Sequence, residues 1–263
     1  MKRLGLIIIP LLLMSCLVLQ SCSTIGGDKV EYVDKSFISD LKKGLQKRWD
    51  IVNDAEENKD NTDEYYKHLE EGVDAELDAV SKYIDASFED NVLKEKAISY
   101  INLLYKQKDT IKYHSSNPDK YNTDWYAAYN NRTKLIEDFT KDYNLTVDKE
   151  YQDTLNELLN NSTAVKSDEK LEQAVKDMLS KIEFEAKKEN SYSDWATYTG
   201  YVENTTGEDI NNIQFKIKLL DEDGVILSTQ YYWIEGFSKG KKAKIEFSTD
   251  EKFKSTEVTA EYC

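Results

Sequence analysis

Ile213-Gln214-Phe215-Lys216-Ile217-Lys218-Leu219 alternates apolar and polar side chains without a break. A period of two places Ile213, Phe215, Ile217 and Leu219 on one face of an extended strand, ready to be buried. Residues 197–202, 225–233, 243–247 and 257–262 carry the same β-branched and aromatic alternation. Asn204-Thr205-Thr206-Gly207 and Asp221-Glu222-Asp223-Gly224 read as turns between them, because Asn, Asp and Gly tolerate turn backbone angles. Gly200, Gly207, Gly224, Gly236 and Gly240 make up half of the chain's 10 glycines. Short strands with frequent turns predict a small β-sandwich over residues 183–263.

Upstream the period changes. Between Gly27 and Gly200 the glycines are Gly44 and Gly72 and the proline is Pro118, a scarcity of breakers that favours helices. Phe37, Leu41, Leu45, Trp49 and Val52 form an apolar stripe at steps of three and four. Tyr66 to Ile84, Leu93 to Ile111 and Trp125 to Tyr143 give three more, the last passing through Arg132. Val147 to Leu158 and Leu171 to Ile182 suggest a fifth and a sixth, the sixth capped by Ser167 or Asp168 after a polar gap at residues 160–167. Each stripe needs a partner, so residues 31–182 are expected to form an antiparallel helical bundle. The fold class expected is therefore α+β, a helical bundle followed by an immunoglobulin-like sandwich.

Lys2 and Arg3 precede an almost unbroken apolar run from Leu4 to Leu19, and Ser21 precedes Cys22. This is the layout of a secretory leader. Leu19-Gln20-Ser21-Cys22 resembles the lipobox of bacterial lipoproteins. The resemblance implies cleavage after residue 21 and diacylglycerol on the Cys22 thiol; polar Ser23 and Thr24 with Gly26 and Gly27 then read as a flexible tether over residues 22–30. Leu13-Met14-Ser15-Cys16 is the runner-up, set second because the apolar run continues through Leu17, Val18 and Leu19. An uncleaved membrane span fits less well, since the run is slightly short of the ~20 apolar residues needed and Pro10 interrupts it.

Gly200-Tyr201-Val202-Glu203-Asn204, Ile217-Lys218-Leu219-Leu220-Asp221, Gly224 and Gly240 with Ile245 and Phe247 resemble the FxLYD domain, an immunoglobulin-like module of bacterial, often lipid-anchored, surface proteins. Ile217 stands for the family's Phe, Leu220 for its Tyr, and Lys239 for a proline. The resemblance covers the last third of the chain and implies fold and compartment, with no catalytic residue.

Charge narrows the functional classes. The chain carries 35 Lys+Arg against 50 Asp+Glu, a net charge of −15. Such a surface repels nucleic acid, which is held by cations that displace counterions. With Cys16 in the leader and Cys22 acylated, Cys263 is left without an internal disulfide partner. Asp221-x-Asp223-Gly224 lacks the acid that a calcium loop places five residues before its glycine, where Leu219 stands. His68 and His114 have no neighbouring cysteine for zinc. No nucleophile elbow and no phosphate-cradling glycine loop appears. The sequence therefore assigns no catalytic residue, metal or cofactor.

Binding is the better class. Tyr121, Trp125, Tyr126 and Tyr129 crowd one place and Tyr231, Tyr232 and Trp233 another, with Tyr126 and Tyr232 the members expected to be exposed. Taken with the lipobox, these features lead to a non-enzymatic lipoprotein on the extracytoplasmic face of the cell membrane. It is expected to present a binding or spacer module to cell-wall glycan or an envelope protein. The alternatives are capture of a carbohydrate or solute, and a hydrolase using two carboxylates.

Overall fold

The computed structural model describes residues 31–57, 62–188 and 195–263. The leader, Cys22 and the tether lie outside the described residues. Among the described residues, no helix is long and apolar enough to cross a membrane.

Five α-helices come first: α1 (Asp34–Glu57), α2 (Thr62–Val80), α3 (Asn91–Ile111), α4 (Pro118–Asp142) and α5 (Gln152–Leu179). Their starts follow from local chemistry. The Asp90 carboxylate accepts from the N–H groups of Val92 and Leu93 at the head of α3. At α4, Asn117 accepts from the Lys120 N–H while Pro118 fills the first turn, where no donor is needed. Asp34 at the head of α1 accepts from the N–H groups of Glu89 and Asp90, tying α1 to the entry of α3.

The stripes read from the sequence meet in one core. Phe37, Leu41 and Leu45 of α1, Val73 and Val80 of α2, and Ala97, Ile101 and Leu104 of α3 are buried together, with Ile136 and Phe139 of α4 and Leu155 and Leu158 of α5. Phe37 sits at the hub, its ring edge-on to Tyr83, Phe88 and Phe139. The two glycines of this part lie where α1 crosses α2. A Cβ on Gly44 would meet the Ala79 Cβ at 3.0 Å, and one on Gly72 would meet the Arg48 Cγ at 3.2 Å. The absence of side chains there brings the backbones of α1 and α2 close around Arg48 and Glu76.

Six strands follow: β1 (Phe184–Lys188), β2 (Ala196–Glu203), β3 (Ile210–Leu220), β4 (Ile226–Phe237), β5 (Lys242–Thr249) and β6 (Ser255–Tyr262). They form two antiparallel sheets, ordered β1-β2-β5 and β4-β3-β6. The fold is thus α+β, helices then two small sheets, with β1 an addition the alternation did not reveal. β3 is the central strand of its sheet, and Ile213, Phe215, Ile217 and Leu219 all point into the sandwich, as their spacing requires. Across from them lie Val202 of β2 and Ile245 and Phe247 of β5. Asn204, buried after β2, donates to the carbonyls of Glu208 and Phe237 and accepts from Thr206, so one side chain closes that turn. Asp221 accepts from the N–H groups of Asp223 and Val225, which makes its tetrad a hairpin turn.

Leu155 and Leu158 of the expected fifth helix and Leu171, Val175 and Met178 of the expected sixth belong to one helix, with Val147 and Tyr151 before its start and Ile182 after its end. α5 runs 28 residues without interruption. Residues 160–167 were expected as a turn because they are polar, yet they contain no glycine or proline to stop a helix. Leu155 and Leu158 are buried in the helical core, whereas Val175, Met178 and Leu179 are buried in the sandwich core. The exposed middle joins the two, which is the setting in which a helix polar on all sides is stable.

Candidate functional site

A carboxylate in the middle of the helical core organises its surroundings. Glu76 of α2 is fully buried, and so, to within a few per cent, are Arg48 of α1 and Arg132 of α4. Arg132 donates from Nε and Nη2 to Glu76 Oε1 at 3.1 and 2.8 Å, and from Nη2 to Oε2 at 2.7 Å. Arg48 Nη1 donates to Glu76 Oε2 at 2.9 Å and to Gln107 Oε1 at 3.1 Å. The Tyr100 hydroxyl donates to Glu76 Oε1. Such charge-assisted contacts are the stronger class of hydrogen bond.

Burial alone pushes the Glu76 carboxyl up, but Arg132, Arg48 and Tyr100 outweigh it and hold it below the usual carboxylate value. Burial and the neighbouring Arg132 cation push Arg48 down, whereas Glu76 and Tyr100 outweigh burial at Arg132 and raise it. The network carries two cations against one anion.

One side of this network opens on a cleft between α1, α2, α4 and α5. It has a volume of about 380 Å³ and includes both Arg48 and Arg132 in its lining. Small-molecule sites fall in the range of roughly 300–1,000 Å³ and combine apolar walls with a few placed polar groups. The walls here are aromatic: Trp49 from α1, Tyr65 from α2, and Trp125, Tyr126 and Tyr129 from α4. Trp125 stacks on Tyr121 with centroids 5.7 Å apart, and Trp49 leans on Tyr151 at 5.9 Å, so each indole is backed by a second ring. A second buried carboxylate lies further along α4. Burial pushes Glu137 up, but Lys141, Lys166 and Ser162 hold it down at about 2.

The two tyrosines expected to be exposed are not brought together. Tyr126 is 59% exposed and stands at the rim of the cleft. Tyr232 is a correction: it packs against the sandwich core, and its neighbours Tyr231 and Trp233 face outward instead. The cause is register, since Tyr232 lies directly opposite inward-pointing Phe215, and alternation then sends residues 231 and 233 to the other face. Tyr231 and Trp233 sit side by side there, with ring centroids 6.2 Å apart.

The network itself was missed. The sequence did hold a signal for it. Arg132 stands on an otherwise apolar stripe, Arg48 falls three residues after Leu45, and Glu76 three after Val73. Charges at core positions of three different helices are a pattern that a buried network explains. Among the described residues, no group of three or more His, Cys, Asp or Glu is placed to hold a metal ion.

No family model matches the chain. No curated protein matches it. Among solved structures it is similar to the Pseudomonas fluorescens alkylpurine DNA glycosylase AlkC bound to DNA containing an abasic site analog. The identity is 10%, over 84% of this chain and 75% of that one, with a TM-score of 0.18. The solved structure so found is an enzyme on DNA, unlike the non-enzymatic lipid-anchored surface protein presenting a binding or spacer module that was expected from the sequence. At that TM-score the likeness carries no argument about what this chain does.

Proposed function

We propose that the helical part is a receptor for a small ligand, held in the cleft between α1, α2, α4 and α5. The observation that carries this is the joining, in one concavity, of aromatic walls to a floor of buried, mutually fixed charges. Binding is favoured over catalysis because Glu76, the carboxylate buried behind Arg48 and Arg132, is already taken up by donors from Arg48, Arg132 and Tyr100. A general base needs a lone pair free to accept the substrate proton.

The chain's 4 tryptophans provide the test. Trp49 and Trp125 line the cleft, whereas Trp195 and Trp233 are exposed in the β part. A set of small aromatic fragments, added to ¹⁵N-labelled protein, should shift the indole resonances of Trp49 and Trp125 and leave the other two in place. A set that moves no indole, or moves only Trp195 and Trp233, would remove the cleft as a site.

Address is a separate matter. We infer from the lipobox-like stretch at Cys22 that the chain is carried outside the cytoplasm and held at the membrane by lipid. Radiolabelled palmitate should enter the wild-type protein and not the Cys22→Ala variant, which should appear in the medium. Equal membrane retention of both would refute the anchor.

A further inference from the structure

We propose that the ligand of this cleft is a flat ring bearing a carboxylate, received by the guanidinium groups of Arg48 and Arg132. This rests on the cleft being a binding site and adds the chemistry of its occupant.

The first support is charge. Glu76 is the buried acid between the two arginines, so the network keeps one positive charge in excess among the described residues. Buried charge is costly unless matched. Glu157 is the described acid at the cleft lining, and it is exposed, where water weakens its field.

The second support is donor count. An arginine has five N–H donors in a planar fork. Arg132 uses Nε and Nη2 on Glu76, and Arg48 uses Nη1 on Glu76 and Gln107. Among the described residues no acceptor meets Nε or Nη2 of Arg48, or Nη1 of Arg132. These are donors on residues that line the cleft, and a carboxylate is the acceptor whose two oxygens match a guanidinium edge.

The third support is shape. Indole and phenol side chains contribute to the walls, and aromatic rings favour offset or edge-on packing with another flat ring. Charge and shape together select a ring acid over a bare anion or a neutral ring.

Benzoate, benzamide and inorganic sulfate separate these contributions. Each is titrated into the full chain while the Trp49 and Trp125 indole signals are followed. Benzoate should saturate at least about tenfold more tightly than benzamide, which keeps the ring without the charge, and than sulfate, which keeps the charge without the ring. In Arg48→Met, the preference for benzoate over benzamide should be lost. That variant keeps the Glu76–Arg132 pair, so the buried charges balance and the core has a reason to hold.

Equal binding of benzoate and benzamide would overturn the carboxylate assignment and leave the cleft as a site. Sulfate binding as tightly as benzoate would overturn the ring, and benzoate binding unaffected by Arg48→Met would overturn the role of the arginine. If none of the three moves Trp49 or Trp125, while neutral fragments do, the anion is excluded. If no fragment of any kind moves them, the receptor reading itself fails.

Discussion

Replacing Glu76 by alanine will cost the helical part about 3–5 kcal/mol, the usual result of removing one partner from a buried ion pair. The variant leaves Arg48 and Arg132 buried around an empty centre, each repelling the other. It also strips the Tyr100 hydroxyl of its acceptor. Natural domains have only about 5–15 kcal/mol to lose, so the variant should be near its limit at room temperature. Urea unfolding followed by far-ultraviolet circular dichroism measures the loss. A cost below about 1 kcal/mol would mean that water reaches the network and that it is not the buried centre described above.

The same carboxylate sets a pH dependence. Its folded value lies below the ordinary one of 4.5, so the charged form is favoured by folding. The stability it contributes is present in full above the unfolded value and is lost as pH falls through the folded one. Glu137, held at about 2, behaves alike. Wild-type stability should therefore decline from about pH 4.5 towards pH 2, and Glu76→Ala should lose less over that window. Replacing Arg48, Glu76 and Arg132 together by methionine gives the contrast. An apolar set of similar volume is commonly neutral or stabilising, so the triple variant should fold while its cleft no longer distinguishes benzoate from benzamide. The charges would then be there for the ligand and not for the fold.

The division between helices and strands was legible because it rests on periodicity, which is local. Phe37 to Val52 and Ile213 to Leu219 declare a helix face and a strand face from their spacing alone. The buried network was hidden because it joins positions 48, 76, 100, 107 and 132, and no local pattern says that these meet. Tyr232 was misplaced for a related reason. Alternation separates residues 231 and 233 from 232, but which set faces inward is decided by pairing with Phe215 on another strand. The continuity of α5 was lost at a polar gap, where the absence of breakers was the better guide.

That continuity leads to the second large effect. Asp168→Pro should cost α5 about 3 kcal/mol or more, since proline removes the N–H that bonds four residues back and its ring crowds that carbonyl. Asp168 lies in the exposed stretch of α5, so no buried contact is disturbed by the change itself. The break falls between Ser162, buried beside Glu137 of the helical part, and Val175, buried in the sandwich. α5 spans about 42 Å at 1.5 Å per residue over its 28 residues, long enough to serve both cores while its centre stays in water. The stretch also ties back to α4 through the Lys134–Glu169 and Lys166–Glu137 pairs, of which Lys134–Glu169 lies past the break. Calorimetry should show the helical part melting earlier in Asp168→Pro, with the sandwich transition left near its wild-type temperature. Its cap of Val175, Met178 and Leu179 lies beyond the break and can remain helical. Asp168→Ala, which keeps the helix, should leave both transitions within a degree or two, since exposed substitutions of this kind rarely exceed ±0.5 kcal/mol. If the proline variant melts as one unshifted transition, the rigid helix is not what carries cooperativity between the parts, and the sheets must reach the helical core by contacts of their own.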